Sequence, residues 1–177
     1  MRVYGSAAET APAATDPTEG EEPRTIRVGI AELRTGRAGD RIRSSGFGSC
    51  VGVACYDPEA GVGGLAHVML PETDDPAPER PGKYANTAVP ALLSALHEAG
   101  ATGLRAKLAG GSDMFEFSST DESVGERNAA AVERELAAAG VPIRGRDVGG
   151  DHGRSLSLDV ASGDLLVTSA ADGDLTL

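Results

Sequence analysis

Between Ser44 and Pro71 the chain reads SSGFGSCVGVACYDPEAGVGGLAHVMLP. Two apolar runs of strand length, one through Val51, Val53, Cys55 and Tyr56 and one through Leu65 to Leu70, are separated by Asp57-Pro58 and a glycine-rich turn. Such punctuation dictates two strands joined by a short connection. Cys50 heads the first strand and His67 lies near the end of the second, so the pairing can set a thiol beside an imidazole. A thiolate is a good nucleophile, and a neighbouring imidazole can take its proton and later hand it to a leaving amine. Gly46 and Gly48 flank Phe47 just before Ser49-Cys50, which permits tight turns that bring N–H groups close to a bound carbonyl. Gly46, Gly48 and Ser49 are therefore candidate backbone support for an oxyanion.

The chain has 177 residues and a net charge of −11, with no Trp. That length is enough for one domain with a substantial core, which must be built from Val, Leu, Ala, Ile and Met. An acidic chain is a poor nucleic-acid binder, because phosphate contacts need a basic surface. Acidic and lysine-poor composition suits a protein kept soluble in high intracellular salt. No apolar run approaches a membrane span and the amino terminus lacks a signal-like pattern, so a cytoplasmic protein without membrane insertion is expected. Cys50 and Cys55 on one strand would lie about 16 Å apart, too far for a disulfide.

Residues 1–25, rich in Ala, Pro, Thr and Glu, read as a disordered acidic tail. A single domain is expected over 26–170, followed by a short C-terminal tail, 171–177. TIRVGIAEL alternates Ile26, Val28 and Ile30 and reads as a strand. Residues 34–40 read as a turn, and 41–45 as a second strand. The acidic, Pro-rich 72–81 is an exposed loop. A helix is expected over about 83–99, with Thr87 as N-cap and Pro90 in its first turn. After a strand at 105–109, a second helix runs from 123 or 125 to 139, stopped by Gly140. Strands at 141–148, 154–160 and 165–168 complete an α+β domain.

At this level of detail the chain resembles the CheD family, the chemoreceptor glutamine deamidases of chemotaxis. GSCVGVACYDP and GGLAHVMLP carry the likeness, and GKYANTAVPALL, AKLAGGSDMF, GERN, VPIRGRDVGGDHGR and SGDLLV follow in the family's order. The resemblance implies an α/β/β sandwich of the CheD type, with Cys50 as nucleophile, His67 as base, and no cofactor or metal. In the family a Thr six residues before the nucleophile orients the histidine; here Ser44 keeps the hydroxyl and loses the methyl. The implied substrates are glutamines of methyl-accepting chemotaxis proteins, and the CheC phosphatase is an implied partner. An alternative is a non-catalytic adaptor that regulates CheC.

Other residues of similar chemistry carry less. Cys55 reads as a packing thiol within VACY, and His97 as an ordinary helical histidine. His152, in the GGDHGR loop, is a rival base. Asn86 stands where the family's KY segment has an acid. The G-x-G-x-x-A match at Gly61 to Ala66 runs into a strand and opens no helix, so a dinucleotide site is rejected. Two Cys and three His are too scattered for a structural zinc site.

Overall fold

The computed structural model describes residues 23–113 and 122–177. Among the described residues, ten strands form two five-stranded mixed sheets. The first sheet holds β2 (Leu33–Arg37), β5 (Val62–Val68), β4 (Val51–Asp57), β6 (Arg105–Gly110) and β7 (Ile143–Val148), in that spatial order. The second holds β1 (Arg24–Arg27), β3 (Asp40–Phe47), β8 (Arg154–Asp159), β9 (Leu165–Ser169) and β10 (Gly173–Thr176). The described residues also form two α-helices, α1 (Ala85–Glu98) and α2 (Val124–Ala138), and a short 3-10 turn at Pro81–Lys83.

Every residue of β4 and β5 is buried, because these central strands are covered on both faces. Val51, Val53 and Cys55 pack with Leu92 and Leu96 of α1 and Val132 and Leu136 of α2. Ala54 and Leu65, on the opposite face, pack with Ile42, Phe47, Leu156 and Leu158 of the second sheet. Side chains alternate along a strand, so the two thiols separate: Cys55 joins the helix-side core, while Cys50 packs at the sheet–sheet core. Both cysteines are free.

Several elements differ from expectation. The first strand begins at Arg24, inside the segment read as tail, because β1 pairs in parallel with β3 and Arg24 grips Asp40 through two hydrogen bonds of 2.8 Å. It stops at Arg27, and the chain then turns and crosses to the first sheet with Ala31 at φ 62, leaving Ile30 50% exposed. The stretch read as a turn after it is β2, a polar strand paired with β5. At the other end, residues 173–176 are no tail. Beyond an Asp172-Gly173 turn they pair with β9, and Leu177 exchanges backbone hydrogen bonds with Leu165. The rest of the expected acidic tail and Met114-Phe115 lie outside the described residues.

Helix α1 starts at Ala85 after Tyr84, so Pro90 lies inside it. Thr87 is no cap: its N–H is already bonded to Tyr84 O, and its hydroxyl donates to Pro81 O at 2.6 Å. Helix α2 opens as expected, with Ser123 and Glu126 forming a reciprocal capping box. Asn86, the departure noted in the KY segment, serves the structure instead. Its carboxamide makes two hydrogen bonds to the backbone of Thr73 and ties down the acidic loop.

Gly52, on β4, must be small. A Cβ there would collide with Leu156 Cδ1 and lie 3.1 Å from the Phe47 ring, between two sheets that have no slack. Gly52→Ala is expected to cost about 1–3 kcal/mol through overpacking. Thermal denaturation would register it as a fall of several degrees in Tm, and an unchanged Tm would contradict this account of the packing.

Candidate active site

The chain changes sheets twice at one place. Residues 28–32 carry it from β1 to β2, and Gly48, Ser49 and Cys50 carry it from β3 to β4. These crossings bring groups from both sheets around His67.

His67 is fully buried and faces the second sheet. Its ring stacks on Phe47, with centroids 4.0 Å apart and planes 20° from parallel. Ser44 Oγ lies 3.0 Å from His67 Nδ1 and 2.8 Å from Val28 O. The two contacts fix the protons. A carbonyl can only accept, so the single Ser44 hydroxyl hydrogen goes to Val28, and Ser44 Oγ must accept from His67 Nδ1–H. The neutral imidazole is therefore the Nδ1–H tautomer, with its lone pair on Nε2. Among the described residues Nε2 has no partner. Burial lowers the His67 pKa to about 4, which keeps that lone pair available at neutral pH.

Cys50 is half-buried, and burial raises its pKa. The register pairs Gly52 with His67 across β4 and β5. Cys50 lies two residues nearer the open end on the same face, a diagonal neighbour whose Cα separation is typically about 7–8 Å. Both side chains pack on the side of the first sheet that faces the second. They are not hydrogen bonded at rest, since Nε2 is unpartnered. Neither shift favours a charged form, so the resting pair is a neutral thiol and a neutral imidazole.

The loop before Cys50 is held from one side. Carbonyl oxygens of Gly48, Ser49 and Cys50 accept from Ser112 N, Asn128 Nδ2 and Gly111 N respectively, each at 2.8 Å. Continuing the β4–β6 ladder past Val51 and Gly110 pairs Cys50 with Gly111, where a regular ladder would also send Cys50 N–H to Gly111 O. Gly111 sits at φ 65, and its carbonyl is turned against Gly125 at the start of α2. That return bond is missing. Among the described residues, no hydrogen bond uses the N–H of Ser49 or Cys50. Gly46 adopts φ 87 as expected, but Gly48 N–H is spent on Gly46 O at 3.2 Å. Among the described residues, the amides of this turn left without an acceptor are those of Ser49 and Cys50.

His152 is directed elsewhere. Its ring nitrogens lie 3.1 Å from Asp172 and 3.6 Å from Asp151, at the loop ends of the second sheet. His97 is exposed on α1. Three contributors escape sequence reasoning: Phe47 as the ring under His67, Gly111 as the residue that frees the Cys50 amide, and Asn128 as a clamp on Ser49. Each lies in or beside a family-like segment, yet its role depends on elements distant in the chain. Burial pushes the Cys55 thiol up to about 12, which leaves it inert.

Residues 69–169 match the family model described as CheD chemotactic sensory transduction. A probable chemoreceptor glutamine deamidase CheD of Haloarcula marismortui is 42% identical over 179 residues, covering 100% of both chains. The chemoreceptor glutamine deamidases CheD of Bacillus licheniformis and Bacillus subtilis are 42% and 41% identical, covering 89% and 88% of this chain and 97% and 98% of their own. With the family model spanning more than half of the sequence and full-length relatives at this identity, the chain belongs to the CheD family.

Proposed function

We propose that the chain is a chemoreceptor glutamine deamidase, a protein-glutamine amidohydrolase of the cytoplasm with the α/β/β layering of the CheD type. The carrying observation is the buried Ser44–His67 hydrogen bond, which leaves Nε2 basic on the sheet face shared with Cys50. The names of the relatives supply the substrate class. No helix among the described residues is long and apolar enough to cross a membrane.

In this reading His67 Nε2 takes the Cys50 proton as sulfur attacks the carboxamide carbon of a receptor glutamine. The C=O electron pair moves to oxygen, and the N–H groups of Ser49 and Cys50 stabilise the oxyanion. The imidazolium gives its proton to the amide nitrogen, the C–N bond breaks, and ammonia leaves a thioester. Water then attacks the thioester, His67 takes its proton and returns it to the departing sulfur, and glutamate is released. Gly46 and Gly48 shape the turn. Docking on CheC belongs to the same proposal.

The test is incubation of the full chain with a purified chemoreceptor cytoplasmic fragment, followed by peptide mass spectrometry for glutamine-to-glutamate conversion. Conversion that requires Cys50 supports the reading, and its absence sinks it. Turnover of free glutamine matching that of the fragment would mark a small-molecule amidase instead.

Ser44→Ala removes the acceptor that fixes the imidazole tautomer and orientation. It is expected to lower kcat roughly 10- to 100-fold with little change in KM. Ser44→Thr keeps the hydroxyl and should retain most activity. Equal losses in both variants would show that the hydroxyl is not what matters.

A further inference from the structure

Asn128 is fully buried on α2, far in sequence from both the thiol and the imidazole. Its Nδ2 makes two hydrogen bonds of 2.8 Å, one to Ser49 O and one to Met69 O. Both acceptors are backbone carbonyls, so the amide orientation is fixed: only the NH2 end can serve them. Oδ1 has no partner among the described residues. A buried carboxamide that spends both donors on two carbonyls and leaves its own oxygen unmatched carries a cost that packing alone does not explain.

The two carbonyls it holds are significant. Ser49 O and Cys50 N–H belong to one peptide unit. Among the described residues no peptide bond is cis, so these two groups point in opposite directions. Drawing the carbonyl toward α2 aims the N–H away from it, and a hydrogen bond accepted by the carbonyl polarises the unit and strengthens the N–H as a donor. Met69 O lies two residues past His67, so the same amide ties the strand bearing the base to the loop bearing the nucleophile.

We infer that Asn128 is a positioning residue for the oxyanion site: it orients and polarises the Ser49–Cys50 peptide whose N–H receives the developing negative charge. This rests on the reading of Cys50 as nucleophile given above. It goes beyond that reading in assigning to a helix residue, which touches neither the thiol nor the imidazole by hydrogen bond, a part in transition-state stabilisation.

The test separates oxyanion stabilisation from general disorder of the site. Alkylation of Cys50 by iodoacetamide is displacement at a saturated carbon and builds no oxyanion, whereas deamidation does. Asn128→Ala and the shape-preserving Asn128→Asp are compared with wild type on the chemoreceptor cytoplasmic fragment and, separately, with iodoacetamide. The expected result is a fall in kcat of roughly 10- to 100-fold, smaller than or equal to the loss of a direct oxyanion donor. KM and the alkylation rate of Cys50 should stay within about twofold of wild type.

A kcat within about twofold of wild type overturns the inference while leaving Cys50 as nucleophile. Parallel losses in kcat and alkylation overturn it too, because they report a displaced thiol. Failure of both variants to fold assigns Asn128 to packing alone. A wild-type chain whose deamidation does not depend on Cys50 fails earlier, at the proposed function, and takes this inference with it.

Discussion

Replacing Cys50 with alanine is expected to lower turnover of the receptor glutamine by roughly five orders of magnitude or more, as loss of a catalytic nucleophile does elsewhere. No other thiol can substitute. Cys55 is fully buried, faces the helix side of its sheet, and has its pKa pushed up to about 12. Cys55→Ala should therefore keep wild-type chemistry and lose only the stability of a small cavity, on the order of 1 kcal/mol. The reverse holds at position 50, where the side chain is half-buried and its truncation removes little packing. Conversion measured by mass spectrometry and melting measured by circular dichroism should thus split the two variants in opposite directions. Deamidation that survives in Cys50→Ala would remove the sulfur from the mechanism.

What is legible in the sequence depends on whether a local pattern or a distant partner fixes the structure. The β4–β5 hairpin is legible because two buried runs are bounded by Asp57-Pro58 and glycines, and the pairing then follows from a short turn. Helix α2 is legible because Val132 and Leu136 recur at helical spacing and Gly140 ends the run, and the Ser123–Glu126 capping box fixes its start in the structure. β2 is not, since LRTGR has no apolar alternation; it is an edge strand whose hydrogen bonds come from β5. β10 is exposed throughout, and only the Asp172-Gly173 dipeptide marks its turn. Propensity places Pro90 too early because it favours proline in a first turn, whereas the Tyr84 carbonyl already caps a helix that begins upstream.

The same division holds within the candidate site. Cys50, His67 and Ser44 can be named from type and spacing with the family resemblance. Their arrangement cannot, because it depends on the two sheet crossings. Asn128 reaches Ser49 across 79 positions, and the Gly111 carbonyl that would return to Cys50 lies instead against Gly125 of α2. Nothing local in GERN or AGGSD encodes either contact.

His67→Gln keeps a polar side chain of similar bulk but cannot accept and return a proton, and kcat is expected to fall by roughly three to four orders of magnitude. The pH dependence makes this a sharper test than the loss alone. In the proposed mechanism catalysis needs the neutral imidazole, and burial holds the His67 pKa at about 4 against an ordinary 6.5. Activity should therefore persist as pH falls through 6.5 and decline only as it nears 4. An acid limb at or above 6.5 would mean that the imidazole is charged at rest, contrary to its burial. Stability follows the same proton. Between 6.5 and 4 the unfolded chain protonates this histidine while the folded chain does not, so stability is intact above 6.5 and is lost as pH falls toward 4. The loss amounts to roughly 3 kcal/mol across that window. In His67→Gln this contribution to the slope should vanish, because glutamine has no proton to bind. Denaturant titrations of both proteins across the window would measure the difference, and an identical slope would show that the buried imidazole does not carry it.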